Sequence, residues 1–343
     1  MAEQPRVTAV ILAYGDQPLL SRAVEAVLSS TDVRADVVLV DNGGAASQLD
    51  ELRHHAQVTL LTPGSNLGFA AGCNLGAREA TGEFVAFVNS DAIVSPDALA
   101  LLIGALGAGD GDREVGLATP SVRLLDAPDT VNTVGNPVHF LGISWAGGLG
   151  RDARDFPENR PVASASGATT VARRQLFVDI GGFCETLFTY VEDTDLSLRM
   201  WLAGLSVVYV AEAVVLHDYE FSRNPDKFYL LERNRLFMVL TLFPTRLLAV
   251  VAPVLIGTEI LMVAFAARHG WARQKLAGWW WLSRHLSVIR DRRRREARKR
   301  VMSSHDFASL LTSELNPGVP GLSVPGFAQR LLNAWWWVGR RLA

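Results

Sequence analysis

Residues 66–91, NLGFAAGCNLGAREATGEFVAFVNSD, decide how this chain is read. A glycine-rich turn at Asn66 and Gly68 leads into a helix that carries Asn74 and stops at Gly82. A short apolar strand, EFVAFV, then runs to a polar tip, Asn89-Ser90-Asp91. Gly68 permits close approach of the backbone to a ligand. Open α/β sheets bind ligands outside the carboxyl ends of their parallel strands, where this tip falls. Asp91 there can hold a divalent cation against a diphosphate, because hard cations prefer carboxylate and phosphate oxygens. The plainer alternatives are caps: Asn66 for the helix, Asp91 for the following turn. Ser95, with Pro96 behind it, already fits that second N-cap.

The flanking sequence continues the alternation. Residues 7–13 are a continuous apolar run, the pattern of a strand buried on both faces, with Ala13 and Tyr14 at its tip. A helix is expected over 17–30. A second strand over 37–40 ends at Asp41-Asn42-Gly43-Gly44, then come a helix over 49–56 and a strand over 58–61. Strands alternating with helices of about 10–15 residues imply a parallel sheet with right-handed crossovers. Asn42-Gly43 is a hairpin dipeptide, but a helix rather than a partner strand follows it. Further strands are expected over 115–119, 169–172, 207–210 and 214–216. Residues 120–165 read as an irregular loop rich in Gly, Pro and Asp, a length usual for functional or mobile segments. Trp145 within it can stack on a sugar or simply pack.

Two more polar clusters interrupt the pattern. Glu192-Asp193-Thr194-Asp195-Leu196 opens a helix over 192–203 that Gly204 closes. The helix macrodipole favours acids there, so capping alone accounts for them, and capping predicts a depressed carboxylate pKa. His217 ends the apolar run 214–216. A lone histidine is usually structural, yet imidazole, carboxylate and diphosphate oxygens together suit Mn²⁺ or Mg²⁺.

These blocks, in this order, resemble family 2 glycosyltransferases over about the first 220 residues. The chain has their N-x-G-x-A-x-x-x-N-x-G helix, a strand ending in an N-x-D variant of D-x-D, the Val40-Asp41-Asn42 tip, and Gly167-Ala168. It also has E-D-x-D-L-x-x-R, from Glu192 through Arg199, after an aromatic turn with Phe188 and Tyr190. The resemblance implies a GT-A fold, an α/β nucleotide-diphospho-sugar transferase domain with a mixed, mostly parallel sheet. It implies inverting, metal-dependent sugar transfer from a dTDP- or UDP-sugar. It assigns Asp193 as the general base and Glu192 as a group that orients the acceptor, with Asp195 paired structurally to Arg199. Asp91 and His217 would hold Mn²⁺ or Mg²⁺. Asp41 would bond the base or ribose, with Ala13 and Tyr14 completing that wall. Asn66, Gly68 and Asn74 would close over the donor. Asn89 and Ser90 would meet the ribose or a metal-bound water, Gly167-Ala168 the donor sugar, and Trp145 the acceptor. Two positions depart from the pattern. Asn89 replaces a D-x-D carboxylate, and Cys73 stands where many relatives carry arginine. Within the family the chain resembles rhamnosyl- and galactofuranosyltransferases of bacterial cell-wall assembly, which implies a polyprenyl-linked glycan acceptor.

Composition bounds the rest. A chain of 343 residues, half of them apolar, can bury a sizeable core and supports two units, expected at 1–225 and 226–343. The net charge of −2 hides an asymmetry: residues 268–300 hold 12 bases against Asp291 and Glu296, leaving an acidic body. Such a segment implies an anionic partner. Nucleic acid is a poor candidate, because the body offers no broad basic face. Cys73 and Cys184 read as thiols of a reducing compartment. The N-terminal residues MAEQPRV carry no signal-peptide pattern, which places the body in the cytosol.

After Pro225 the character changes. A helix is expected over 228–243. Residues 247–267 are almost wholly apolar and would measure about 32 Å as a helix, close to a hydrocarbon core of about 30 Å. A span would carry the basic segment across the membrane, against the positive-inside tendency. A re-entrant or in-plane helical hairpin on the cytoplasmic face fits better, peripheral or monotopic, with Trp279-Trp280-Trp281 at the interface and the run RDRRRREARKR (290–300) on anionic headgroups. The alternative is a buried helix pair that forms a homodimer. A Pro/Gly-rich linker over 316–326 precedes a last helix with Trp335-Trp336-Trp337.

Other functions are disfavoured. No G-x-G-x-x-G follows the first strand, which argues against a dinucleotide-dependent oxidoreductase. No Q-x-x-R-W motif marks a processive synthase. A membrane-docked, non-catalytic sugar-nucleotide-binding protein remains the alternative, with Asp91, Asp193 and His217 arguing for catalysis.

Overall fold

The computed structural model describes residues 3–219, 226–315 and 325–343. Residue 225, at the expected unit boundary, and residues 316–324 of the expected linker lie outside the described residues. The chain divides into two compact units. The first is Met1–Asn136, Ala146–Met200 and Leu205–Glu220; the second is Pro137–Trp145, Trp201–Gly204 and Phe221–Ala343.

The first unit begins with β1 (Arg6–Gly15), α1 (Leu20–Leu28), β2 (Arg34–Gly44), α2 (Ala46–Leu52) and β3 (Val58–Leu61). It continues through α3 (Gly68–Glu79), β4 (Phe84–Val88), β5 (Ala92–Val94), α4 (Ala98–Ala108), β6 (Val115–Leu124) and β7 (Val131–Thr133). It ends with β8 (Arg160–Pro161), β9 (Thr169–Arg173), α5 (Arg174–Ile180), α6 (Glu192–Leu202) and β10 (Ser206–His217). The sheet order is β3-β2-β1-β4-β9-β6-β10-β5, with β7 on β6 and β8 on β10. β1 lies parallel to β2 and β4, β2 to β3, and β6 to β10. β9 runs antiparallel between β4 and β6, and β5 antiparallel to β10, so the sheet is mixed. The antiparallel β9 makes the start of that strand, rather than its end, meet the end of β4: Val88 pairs with Thr169.

Burial follows the apolar runs. Val7, Ala9, Ile11, Val37, Leu39, Ala86, Val88 and Val215 join Leu99 and Leu102 of α4 in one core. Two small residues of α3 set its distance from the sheet, because a Cβ at Gly72 or Gly76 would clash with Leu12 or Val10. The expected strands over 207–210 and 214–216 are one strand, β10, with a register shift against β6 between Val210 and Val214. Ser95 does not cap α4. Its hydroxyl donates to the Val214 carbonyl at 2.7 Å, and Asp97 occupies the N-cap position without a side-chain bond. The expected loop over 120–165 is partly sheet, holding the end of β6, β7 and β8.

The second unit is helical: α7 (Lys227–Leu242), α8 (Thr245–Arg268), α9 (Ala272–Arg284), α10 (Leu286–Lys299), α11 (Ser304–Ser309) and α12 (Gly326–Leu342). The buried stripe of α8, Leu247, Val251, Leu255 and Glu259, recurs every fourth residue, the spacing of one helix face. Glu259 bonds Arg235 of α7, Lys275 of α9 and the Trp279 indole N–H at 2.7 Å, while Glu232 holds the same two cations. Lys275 is 0% exposed, and both carboxylates surround its ammonium, the pairing a buried cation needs. The three adjacent tryptophans of α9 therefore divide. Trp279 is tied to Glu259, Trp281 packs edge-on against Phe237, and Trp280 alone of the three is largely exposed. The basic run divides as well. Arg292 is buried over Phe237 and donates to Thr241 Oγ1, and Arg293 donates to the Leu240 carbonyl, whereas Arg290, Arg294, Arg295 and Arg298 face outward.

Candidate active site

The pairing of Asp91 with His217 comes from sheet register. The antiparallel β5–β10 pair places His217 opposite Ala92, beside Asp91. His217 Nε2 lies 3.1 Å from Asp91 Oδ1, and the Asp218 N–H donates to the Asp91 carbonyl at 3.0 Å. On the other side of the ring, Nδ1 is 3.0 Å from Oδ1 of Asn132 on β7. Asn132 is buried, and its amide nitrogen has no protein partner. An acceptor at Nδ1 calls for the proton on that nitrogen, which leaves the Nε2 lone pair facing a carboxylate oxygen. A cation resolves that opposition, as does a second proton on the ring. Turning the Asn132 amide over gives the third solution, with Nε2–H donated to Asp91. Two adjacent ligands about 2.1 Å from an octahedral ion stand about 3 Å apart, so the observed spacing fits Mn²⁺ or Mg²⁺. Among the described residues no three His, Cys, Asp or Glu side chains cluster as a metal site.

The acid pair sits on the other side of the β4 tip. The Asn89 N–H donates to the Ala168 carbonyl at 2.9 Å, joining that tip to the segment before β9. The next N–H along, at Gly167, donates to Asp193 Oδ2 at 3.0 Å. The Thr194 N–H donates to Asp193 Oδ1 at 2.6 Å, and its hydroxyl to the same oxygen at 3.3 Å. Ser197 ties the first turn of α6 to the same segment, donating to the Asp193 carbonyl and accepting from the Ala165 N–H. Burial nevertheless pushes the Asp193 pKa up, outweighing the hydrogen bonds that favour its carboxylate. Glu192 is buried, with Oε2 unpartnered in the protein; burial, and then the charge of Asp193, hold its pKa well above the usual range. The acids at this helix start therefore do not show the depressed pKa that capping predicts. Asp195 instead bonds the buried Arg199 at 2.9 Å, the expected structural pair, and Arg199 also donates to the carbonyls of Ile180 and Gly182.

Backbone strain aims this helix. Phe188, Tyr190 and Val191 all have positive φ, rare for non-glycine residues and an outlier for β-branched Val191. The turn is held from α3: the Ala70 N–H donates to the Phe188 carbonyl, and Gly68, at φ +78°, leaves room for the Phe188 ring that any Cβ would fill.

The third wall lies at the ends of β1 and β2. Ala13 pairs with Asp41 across the two strands, and Asp41 Oδ1 accepts from the Gly43 and Gly44 N–H groups at 3.0 Å each. Tyr14 is exposed, its ring 3.7 Å from the position a Cβ would take at Gly43. Asn42, in sequence only part of the tip motif, is the buried link here. Its oxygen accepts from the Leu67 N–H at 2.7 Å and its nitrogen donates to the Gly68 carbonyl. Asn66 Oδ1 accepts from the Gly68 N–H at 2.8 Å, while Leu67 occupies the N-cap position of α3 without a side-chain bond. Asn74 is turned inward, exchanging bonds with the Phe183 backbone and donating to Glu185. Ser90 is half-buried in the link between Asn89 and Asp91. Trp145 belongs to the second unit. The first unit thus brings together Asn89, Asp91, His217, Gly167, Ala168 and Asp193, and separately Ala13, Tyr14, Asp41, Asn66 and Gly68.

The model of the family described as glycosyl transferase family 2 matches residues 8–179, just over half of the chain. The chain belongs to glycosyltransferase family 2. One relative of this glycosyltransferase is the N-acetylglucosaminyl-diphospho-decaprenol L-rhamnosyltransferase of Mycobacterium tuberculosis, 30% identical over 242 residues that cover 63% of the chain and 77% of the relative. In structure it is similar to GalNAc-T7 bound to UDP, GalNAc and Mn²⁺, at TM-score 0.59 and 16% identity over 71% of the chain and 49% of GalNAc-T7. It is also similar to the mannosyltransferase PcManGT of Pyrobaculum calidifontis with GDP-Man and Mn²⁺, at TM-score 0.51 and 18% identity over 87% of each chain. The mixed sheet followed by C-terminal helices is thus the GT-A architecture, and the glycosyltransferase uses a nucleotide-sugar donor.

Cys73 of the glycosyltransferase is buried on α3, and its thiol pKa is pushed up by burial and then by the charge of Glu192. The departure at Cys73 therefore bears on the acid pair. No cation at position 73 compensates Glu192, which favours a neutral carboxyl there.

Proposed function

We propose that this glycosyltransferase moves a hexose, with inversion, from a dTDP- or UDP-sugar to a polyprenyl-linked glycan acceptor at the cytoplasmic face of the membrane. Rhamnose is the sugar favoured by the mycobacterial relative, whose name gives a decaprenyl-diphosphate-linked acceptor. The observation that supports the reading is the hydrogen-bonded bridge from Asn89 at the β4 tip through Ala168 and Gly167 to the Asp193 carboxylate, whose pKa burial raises. The neighbouring carboxyls divide the work: Glu192 keeps its proton, and Asp193 accepts one. The acceptor hydroxyl gives its proton to Asp193 as its oxygen bonds the anomeric carbon, and the bond from that carbon to the diphosphate breaks on the opposite face. Asp91 and His217 would hold the cation with the diphosphate, and the ion would neutralise the leaving group. Asn132 orients His217 through Nδ1, and Asp41, Ala13 and Tyr14 receive the base and ribose. Asn74 acts by fixing the Phe183 backbone.

The helical unit supports membrane association without a span. α8 is a single apolar helix of 24 residues, but its middle carries Glu259 bound to Arg235 and Lys275. A span would bring those charges to the bilayer centre, where each is costly. The opposite face, with exposed Ile256, Ile260 and Leu261, suits an in-plane position. The test is transfer from a panel of dTDP- and UDP-sugars to a polyprenyl-diphosphate-linked acceptor with Mn²⁺, with product anomers resolved by NMR. Retention of configuration, or no transfer from any donor, would sink the reading.

A further inference from the structure

We propose that the start of α8 and the end of α12 form a binding site for the diphosphate of a lipid carrier, an inference that rests on the lipid-linked acceptor reading above. A cleft of about 690 Å³ opens there, bordered by Arg246, Arg300, Ser304, His305 and Arg341, with Leu342 at one rim. The three arginines are exposed, and among the described residues none of them lies within 4.0 Å of a carboxylate. The neighbouring acid, Asp306, is engaged by the Ser303 hydroxyl at 2.7 Å. Behind them Arg293 donates to Thr245 Oγ1 at 3.0 Å, and its pKa is lowered by burial and then by the charge of Arg300. The cleft is therefore a region of net positive charge, three guanidiniums set against the carboxyl group of Ala343, which also lines it, and the nearby Asp306. The N-terminus of the long α8 opens onto it and adds the positive end of a helix dipole. The Arg341 guanidinium lies 3.6 Å over the Trp337 ring, which fixes its plane and leaves its N–H edge for oxyanions.

An apolar track leads away from this charge. Phe327, Leu331, Trp335, Val338 and Leu342 are all exposed on α12 and recur at intervals of three or four residues, one stripe about 22 Å long. The stripe ends on Leu342 at the cleft. The other face of α12 is taken, with Trp336 stacked on Phe140 at 4.7 Å and Gly339 seated against Val250 of α8. A bilayer phospholipid brings one diester charge. Three unpaired guanidiniums beside a long apolar stripe match a more highly charged head on one long chain, which is the chemistry of a polyprenyl diphosphate.

The experiment measures binding to the full chain, without transfer. Phosphatidylcholine nanodiscs carry either a polyprenyl diphosphate or the same charge as phosphatidylglycerol, and inorganic pyrophosphate is titrated in solution. The expected result is saturable binding to the polyprenyl diphosphate nanodiscs. Arg246→Gln/Arg300→Gln/Arg341→Gln should weaken it by about fivefold per arginine. On these phosphatidylcholine nanodiscs, whose few charges sit on the polyprenyl diphosphate and not over the whole surface as in anionic liposomes, the same number of charges removed from the exposed face of α10, as Arg290→Gln/Arg294→Gln/Arg298→Gln, should cost less than about threefold. Leu331→Gln/Val338→Gln should weaken nanodisc binding and leave pyrophosphate binding unchanged. Equal losses from the two arginine triples, or equal affinity for phosphatidylglycerol, would mean diffuse charge and overturn the site. Pyrophosphate binding as tightly as the lipid would overturn the role of the stripe. Transfer by the cleft triple at the wild-type acceptor KM would remove the site and leave the transferase reading standing, whereas binding intact in a chain that transfers nothing would do the reverse.

Discussion

His217 and Asp91 stand 126 positions apart in the chain and 3.1 Å apart in space. The antiparallel pairing of β5 with β10 produces this contact, because His217 is the last residue of β10 and faces the first residue of β5. A one-residue slip would turn the imidazole to the other face of the sheet. The buried strand faces, with Val94 and Val215 in the core, oppose that slip.

If one ion joins these residues, Asp91→Ala and His217→Ala each abolish most Mn²⁺-dependent nucleoside diphosphate binding, and the double variant loses little more. Isothermal titration with UDP and dTDP, with and without Mn²⁺, reads this directly. Asn132→Leu removes the bond that orients His217 and should weaken Mn²⁺ affinity by about 10–100-fold, with donor binding in EDTA unchanged. Additive losses at Asp91 and His217 would assign them separate roles.

Asp193→Asn should lower kcat by about 10²–10⁴ and leave the donor Kd within error, because it removes the proton acceptor while its one amide oxygen can still accept from either the Gly167 or the Thr194 N–H. Activity requires the ionised base, so the acid limb of kcat/KM should lie above the ordinary Asp value of 3.8, in the direction burial moves it. Turnover within threefold of wild type in the Asn variant would exclude Asp193 as the base.

Glu192 gives a stability prediction with a definite sign. Its carboxyl is protonated in the folded protein at pH values where the unfolded chain has ionised it. Its contribution is therefore greatest below the ordinary value of 4.5 and is lost as pH rises through the raised folded pKa. Glu192→Gln does not titrate. The Tm of the variant relative to wild type should rise with pH over that window, leaving the variant the more stable protein at neutral pH. A pH-independent difference would mean that Glu192 is ionised in the fold.

His139 carries the opposite sign. Burial lowers its pKa from 6.5 to about 4, while Nε2 bonds the Ser313 carbonyl and Nδ1 accepts from the Leu141 N–H. Its stabilisation is present above the unfolded pKa and is lost as pH falls from 6.5 towards 4. The full effect is at most about 3 kcal/mol. Chemical denaturation of His139→Gln against wild type should show a smaller loss of stability in the variant between pH 6.5 and 4.

The sheet and the strand tips were legible because buried strands leave continuous apolar runs, and the residues that interrupt them at β2, β4 and β10 are the polar ones at the site. Partners were less legible. Ser95 has the right residue type and spacing for a cap, yet a carbonyl of β10 sits within reach and takes its hydroxyl. Asn132 is one polar residue among many between 120 and 165, and only the pairing of β7 with β6 brings it to His217. The positive φ of Phe188, Tyr190 and Val191 runs against their intrinsic preferences, so no propensity argument could reach it. The basic run and the tryptophan triplets share one difficulty. Adjacent identical residues point to different sides of a helix, and composition alone cannot divide Arg292, which is buried, from Arg294, which is not.

That division sets the test for membrane docking. Uniform replacement of the run would remove Arg292 and Arg293, whose bonds to Thr241, Leu240 and Thr245 hold α10 to α7 and to the start of α8, and the protein would lose stability for a reason unrelated to lipid. Arg290, Arg294 and Arg298 recur every fourth residue on the outward face. Arg290→Gln/Arg294→Gln/Arg298→Gln should weaken binding to anionic liposomes by about 1 kcal/mol per residue, more at low salt than at high salt, with the Tm unchanged. Arg292→Gln alone should lower the Tm and leave liposome affinity per folded molecule nearly the same. Donor hydrolysis in solution should survive the triple replacement, because Asp91, His217, Glu192 and Asp193 belong to the other unit. Liposome affinity that is unchanged in the triple variant and independent of salt would mean that the exposed apolar residues of α8 and α12 act alone, and the basic face would then need another partner.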